Sequence, residues 1–145
     1  MDRWDARFLE EAKNIAQWSK DPSTKTGALL VSPNRKVVIG GYNGFPHGMS
    51  DANELYENRE EKYSRIVHCE MNALINAQRN VEGFTLYTWP FASCDRCAVH
   101  MIQAGITRVV APPLPEDLVE RWGANLKRSI GYFQEAGVEV CIEGN

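Results

Sequence analysis

Four residues whose types and spacing suit binding a metal ion and moving a proton fall in two short stretches. IVHCEMN, at 66–72, holds His68 and Glu70; SCDRCAVHM, at 93–101, holds Cys94 and Cys97. One imidazole and two thiolates are good ligands for zinc, and three protein ligands leave a fourth position for water, as catalytic zinc sites do. Zinc lowers the pKa of such a water to ~7. Glu70 lies two positions after His68. A carboxylate there can reach the water without being a ligand, take its proton and deliver it to a substrate nitrogen and then to a leaving amine. Other readings stay open. His-x-Glu alone matches many unrelated helix starts, and Cys-x-x-Cys alone also fits reversible thiol chemistry. His100 is a further conceivable ligand, whereas Cys69 reads as a small buried packing residue.

The elements around these residues must bring them together. Apolar residues at Trp4, Phe8, Ala12, Ile15 and Ala16 predict a helix over Asp2 to Ser19. GALLVS (27–32) and VVIGG (37–41) read as paired antiparallel strands joined by a PNRK turn. The polar stretch from Tyr42 to Arg65 is a long connection with a short helix within Ser50 to Lys62, and long ordered loops are usually functional. Helices follow over Cys69–Arg79 and Cys94–Ala104, alternating with strands at Phe84–Thr88, Thr107–Ala111 and Val138–Ile142. One long or two short helices fill Pro115–Ala136. Helices alternating with strands imply crossovers, a mostly parallel central sheet and helices on both faces. In that arrangement the starts of the second and third main helices emerge at one sheet edge. His68 can then meet Cys94 and Cys97, and helix N-termini favour thiolates.

Size and composition fit this picture. The 145 residues suit one domain, 1–145, and 43% hydrophobic with 24% charged residues is a globular balance. The net charge of −3 argues against a nucleic-acid partner. No apolar run is long enough for a membrane span, and MDRWDARFLEE lacks a signal-peptide core, so a cytoplasmic protein is expected. Four cysteines in a reducing compartment, two of them as C-x-x-C, favour metal or redox chemistry over a structural bridge.

His-x-Glu followed by Cys-x-x-Cys is the signature of zinc nucleobase deaminases. HCEMNALINA resembles that family's HAEMNA helix, and CDRCAVHMIQAGI resembles its second zinc helix. SKDPSTKTGALLV and GGYNGFPHGMSD resemble the N-terminal half of deoxycytidylate (dCMP) deaminases, with Gly41 to Gly48 specific to that branch. The resemblance covers most of residues 18 to 111. It implies a three-layer α/β/α cytidine-deaminase-like fold with a five-stranded mixed sheet, and one zinc per chain held by His68, Cys94 and Cys97. The implied reaction is hydrolytic deamination of dCMP to dUMP, water activated on zinc attacking C4 while Glu70 shuttles protons.

Substrate contacts are expected from Asn43, with Gly41 and Gly44 allowing close approach to a ligand. Lys25, Arg59, Lys62 or Arg65 would meet a 5′-phosphate, Arg65 and Lys25 foremost. Trp89 and Phe91 either stack on the pyrimidine or belong to the core. The resemblance further implies dCTP and dTTP as effectors, with Lys20, Asp21, Asn43 and Gly44 as contacts, and a homo-oligomer such as a hexamer. Three departures from the family pattern stand out. Ser93 precedes Cys94 where a proline is usual, and Pro90 lies four residues earlier; the altered TWPFASC loop faces the base. Cys69 replaces an alanine. The loop before the zinc helix has His47 but no cysteine, so a second zinc is not expected. Rival readings are a deaminase of another cytosine nucleotide or nucleoside or of tRNA adenosine, a non-catalytic zinc module, and a zinc-free redox protein.

Overall fold

The computed structural model describes residues 1–142. Helix α1 (Arg3–Ala16) starts at a reciprocal cap. The Asp2 carboxylate accepts from the Asp5 backbone N–H, and the Asp5 carboxylate accepts from that of Asp2. Strands β1 (Gly27–Val31) and β2 (Val38–Tyr42) form the expected hairpin. The long connection holds two short helices rather than one, α2 (Asn53–Glu57) and α3 (Arg59–Arg65). Asn58 separates them, accepting from Glu61 N–H as the cap of α3. Phe45 stacks on Tyr56 at 4.0 Å and ties the loop to α2.

The remaining elements alternate as the sequence implies: α4 (Cys69–Ala77), β3 (Thr85–Trp89), α5 (Asp95–Gln103), β4 (Arg108–Ala111), a short 3-10 turn at Glu116–Leu118, α6 (Val119–Glu135) and β5 (Glu139–Ile142). α4 ends two residues earlier than expected because Gln78 turns left-handed, at φ 48°. Glu116–Leu118 and α6 resolve the Pro115–Ala136 segment into a turn and one 17-residue helix.

The five strands lie in the order β2-β1-β3-β4-β5. The sheet is mixed, as the resemblance implies, but it is not mostly parallel. β1 is antiparallel to both β2 and β3, and only the β3–β4 and β4–β5 pairings are parallel. The cause is topological: the opening hairpin inserts β1 between β2 and β3, so the crossover units account for only half of the pairings. Period-two alternation then sends side chains to two separate layers. Leu29, Val31, Tyr87 and Val110 pack under Phe8 and Ala12 of α1. Ala28, Leu30, Leu86 and Val109 pack against Ala73 of α4, Ala98 and Met101 of α5, and Phe133 of α6. Every residue of β1 is buried, because it is covered on both faces.

Gly41 sets the position of α4. A Cβ built there would lie 2.3 Å from Ala73 N and 2.6 Å from Cys69 O. The close approach expected of Gly41 is therefore to the backbone of this helix and not to a ligand, and a Cβ at Gly44 would meet nothing within 4 Å. Gly41→Ala is expected to push α4 off β2 and to destabilise by about 1–3 kcal/mol, the usual cost of overpacking. Urea unfolding measures this directly, and an unchanged midpoint would show that the helix shifts freely.

Candidate active site

His68 is the N-cap of α4, in extended conformation, and its side chain makes no capping bond. Its ring points instead to the start of α5, where Cys94 is the N-cap and Cys97 lies in the first turn. His68 Nδ1 is 3.4 Å from Cys94 Sγ and 3.3 Å from Cys97 Sγ. The three ligand atoms lie within 4.8 Å of one another. A tetrahedral ion with bonds of about 2.0–2.3 Å requires N···S separations of about 3.5 Å, so this donor set fits zinc with little adjustment.

The electrostatics agree. The Cys97 thiol donating to Cys94 pulls the Cys94 thiol well below its usual range. The His68 contact and the Cys97 backbone N–H act in the same direction, and burial opposes them. Cys97 moves the other way, raised by Cys94 beside it, by burial and by the nearby Glu70. The opposite shifts make Cys94 the readier of the two to ionise, and a cation held between the sulfurs would favour the thiolate form of both. His68 is raised, chiefly by its contact with Cys94. Cys69 is buried, and burial pushes its thiol far up, which suits the packing role expected of it. His100 is exposed on the flank of α5, 2.7 Å from the Arg96 carbonyl, outside the cluster.

Glu70 follows in the first turn of α4 and is 4% exposed. Ser93 Oγ donates to its Oε2 at 2.8 Å, and Ser93 is itself buried. The proline usual in the family at position 93 has no hydroxyl, so this contact comes with the departure in the TWPFASC loop. Ser93 thereby fixes one oxygen of this carboxylate beside the ligand cluster. Ser93→Ala is expected to lower kcat about 10-fold at near-constant KM, with Ser93→Thr restoring most of it, consistent with the loss of one charge-assisted hydrogen bond. Equal kcat in wild type and Ser93→Ala would show that packing alone positions Glu70.

A cleft opens over Glu70 and the ligand cluster. Asn43, Lys62, Phe91, Arg121 and Trp122 are among its lining residues. Asn43 borders the cleft, but its amide is largely spent inside the protein. Nδ2 donates to Asp21 Oδ2 at 3.2 Å and to Thr24 O at 3.0 Å, and Oδ1 accepts from Thr26 N–H at 2.9 Å. Asp21 is buried, accepts from the backbone of Ser23 and Thr24, and pairs with the buried Lys62, Nζ to Oδ2 2.9 Å. This network ties the SKDP segment to the GYNG segment and α3.

Neither basic residue favoured for the phosphate borders the cleft. Lys25 is exposed outside it, and Arg65 turns back along α3 to Glu61 at 2.9 Å. The cations that border it are Lys62 and Arg121. Lys20 is exposed and paired with Asp51, and Gly44 exchanges backbone hydrogen bonds with Val67. Trp89 belongs to the α1 layer, and Phe91 is the aromatic that reaches the cleft, stacked on Trp122 at 6.2 Å. Arg121, Trp122 and Ser93 escaped the sequence reading. The first two lie outside every recognised motif, and their only signal was an Arg-Trp pair opening a long helix.

Three candidate ligands with a buried carboxylate outside their group, on an α/β/α frame, match the donor set of zinc deaminase sites. The profile describing the cytidine and deoxycytidylate deaminase zinc-binding region matches residues 2–112, and the chain belongs to that family. It is 42% identical over 140 residues to an uncharacterized deaminase in the luxG 3′ region of Aliivibrio fischeri, covering 97% of this chain and 93% of that one. It is 40% identical over 113 residues to the deoxycytidylate deaminase of Mus musculus, covering 74% of this chain and 63% of the relative's length. The human enzyme gives 39% over the same span. The match to these mammalian relatives thus spans under two thirds of their length. Crystal structures of the dCMP deaminase from cyanophage S-TIM5, apo and with dCMP and dUMP, superpose with TM-scores of 0.75 and 0.76. Identity is 23%, with 99% of this chain and 99–100% of theirs covered, which establishes the shared fold. No helix among the described residues is long and apolar enough to cross a membrane.

Proposed function

We propose that this chain hydrolyses dCMP to dUMP and ammonia. The observation that carries the reading is Glu70, buried beside a three-donor cluster and not needed to complete it. The similarity to deoxycytidylate deaminases at 39–40% identity supports the substrate. His68, Cys94 and Cys97 would hold zinc, which when bound supplies a Lewis acid that makes water nucleophilic near neutral pH. Glu70, steadied at Oε2 by Ser93, takes one proton of the attacking water and gives it to the pyrimidine ring nitrogen as the water oxygen bonds to C4. It then takes the remaining proton from the new C4 hydroxyl and gives it to the amino group. The C4–N bond breaks, the C4 carbonyl forms, and ammonia departs. Phe91 and Trp122 form an apolar wall against which a pyrimidine can stack.

Asn43 is retained as a substrate contact through the remaining acceptor capacity of Oδ1. Effector binding by dCTP or dTTP rests on Lys20 and Gly44, since Asp21 is committed to Lys62 and Asn43. A homo-oligomer is supported by exposed apolar side chains such as Trp18 and Tyr42, stacked edge to face. Thiol ligands need a reducing compartment, which supports a cytoplasmic setting.

Absorbance loss on adding dCMP, deoxycytidine, CMP, cytidine or dCTP to zinc-loaded protein tests the reading. dCMP is expected to turn over fastest. Faster turnover of another member of the panel would reassign the substrate, and no turnover with one zinc bound would remove the reaction.

A further inference from the structure

The cleft continues past Lys62 and Tyr63 into a polar annex lined also by Ser23, Arg59 and Glu57, and Arg121 borders both spaces. The two cations at the passage are not equivalent. Lys62 is buried, with Nζ 3.0 and 2.9 Å from the two oxygens of Asp21, so its charge is neutralised within the fold. Arg121 projects from the first turn of α6 and has no carboxylate at ion-pair distance among the described residues. Its contacts are neutral. Nη2 donates to the Tyr63 hydroxyl at 2.8 Å, and the guanidinium lies 5.4 Å from the Trp122 ring centroid.

These contacts orient the guanidinium while leaving most of its five N–H groups unspent. A planar fork held this way, with no counter-charge, is a bidentate receptor for a phosphate. Trp122 leans on Phe91 at an interplanar angle of 30°. Trp122, one of the two aromatics of the cleft wall, and Arg121 are consecutive residues of α6, so a ring stacked on the wall lies beside the guanidinium.

We propose that Arg121 is the specificity-determining residue that makes this site prefer a 5′-phosphorylated nucleotide to the free nucleoside. Arg59 in the annex adds to the cationic field. The inference rests on the deaminase reading above and places the phosphate selection on α6, beyond the region that the family profile matches.

The test compares wild type, Arg121→Met and Arg121→Lys, all zinc-loaded. It reads kcat/KM for dCMP and for deoxycytidine, and in parallel the Kd of dUMP and of deoxyuridine by calorimetry. Arg121→Met is expected to reduce the dCMP-to-deoxycytidine ratio about 10- to 100-fold, the worth of hydrogen bonds to a charged group. The dUMP-to-deoxyuridine binding preference falls in step, and Arg121→Lys lies between. A wild-type preference that survives intact in Arg121→Met would overturn the assignment and place the phosphate elsewhere. Wild-type protein that turns over neither compound removes the deaminase reading instead, and the dUMP binding preference still decides for or against Arg121.

Discussion

Replacing Glu70 with glutamine is expected to lower the dCMP deamination rate by at least about 10³-fold, towards the upper end of what one general acid–base group supplies. Zinc content should stay at that of wild type. The two expectations separate because of where Glu70 sits. It is outside the group formed by His68, Cys94 and Cys97, so the amide removes no ligand. The amide is isosteric and still accepts the Ser93 hydroxyl hydrogen bond that the carboxylate accepts at 2.8 Å. What it loses is the ability to carry a proton, and the reaction uses that ability repeatedly. A variant that loses zinc would make Glu70 a ligand. One that keeps its rate would remove it from the chemistry.

The largest expected effect on stability lies at the opposite layer, at Asp5. This carboxylate is 2% exposed and accepts from Arg108 Nη1 at 2.7 Å, Arg108 Nη2 at 2.8 Å and the Tyr87 hydroxyl at 2.7 Å. It therefore joins α1 to β3 and β4. Asp5→Ala leaves Arg108 and Tyr87 without their shared partner, and breaking a buried pair costs about 3–5 kcal/mol. Arg108 keeps 26% of its side-chain surface and a second partner in Glu139, so the lower end is expected, about 3 kcal/mol.

The pH dependence has a definite sign. Arg108 above all, then the Tyr87 hydroxyl and the Asp2 N–H, hold the Asp5 carboxyl well below its usual range against the opposing pull of burial. A depressed carboxyl stabilises the fold fully above its unfolded pKa of ~3.9, and the contribution is lost as pH falls through the lower folded value. Wild-type stability should drop below about pH 4, and Asp5→Asn should show a shallower acid slope. Equal slopes in urea melts across this range would place the acid sensitivity in other carboxylates.

The zinc ligands and Glu70 were legible in the sequence because metal chemistry constrains both residue type and spacing, and helix starts at one sheet edge are a consequence of β-α-β order. The strand and helix order was legible for a similar reason: Leu29, Leu30, Leu86 and Val110 alternate between layers that period-two patterning encodes. The sheet's direction was less so, since nothing local to GALLV specifies that it pairs with both β2 and β3. Lys25 and Arg65, favoured for the phosphate, do not border the cleft, because charge alone does not report direction. Lys25 points to solvent and Arg65 to Glu61 one turn away. Arg121 and Trp122 reach the cleft only through the packing of α6 on α5, a long-range contact that no sequence window contains. At Gly41 the sequence specifies the property, a bare Cα that permits close approach, and only the fold shows that the approaching group is α4.

On the reading proposed above, one zinc at His68, Cys94 and Cys97 makes the chain a dCMP deaminase. The most direct test of that reading is zinc titration of metal-stripped protein, with dUMP and ammonia measured at each addition. Activity should rise linearly, form both products in equal amounts and saturate at one zinc per chain. Saturable zinc binding without dUMP, or dUMP formation that ignores zinc, would contradict it.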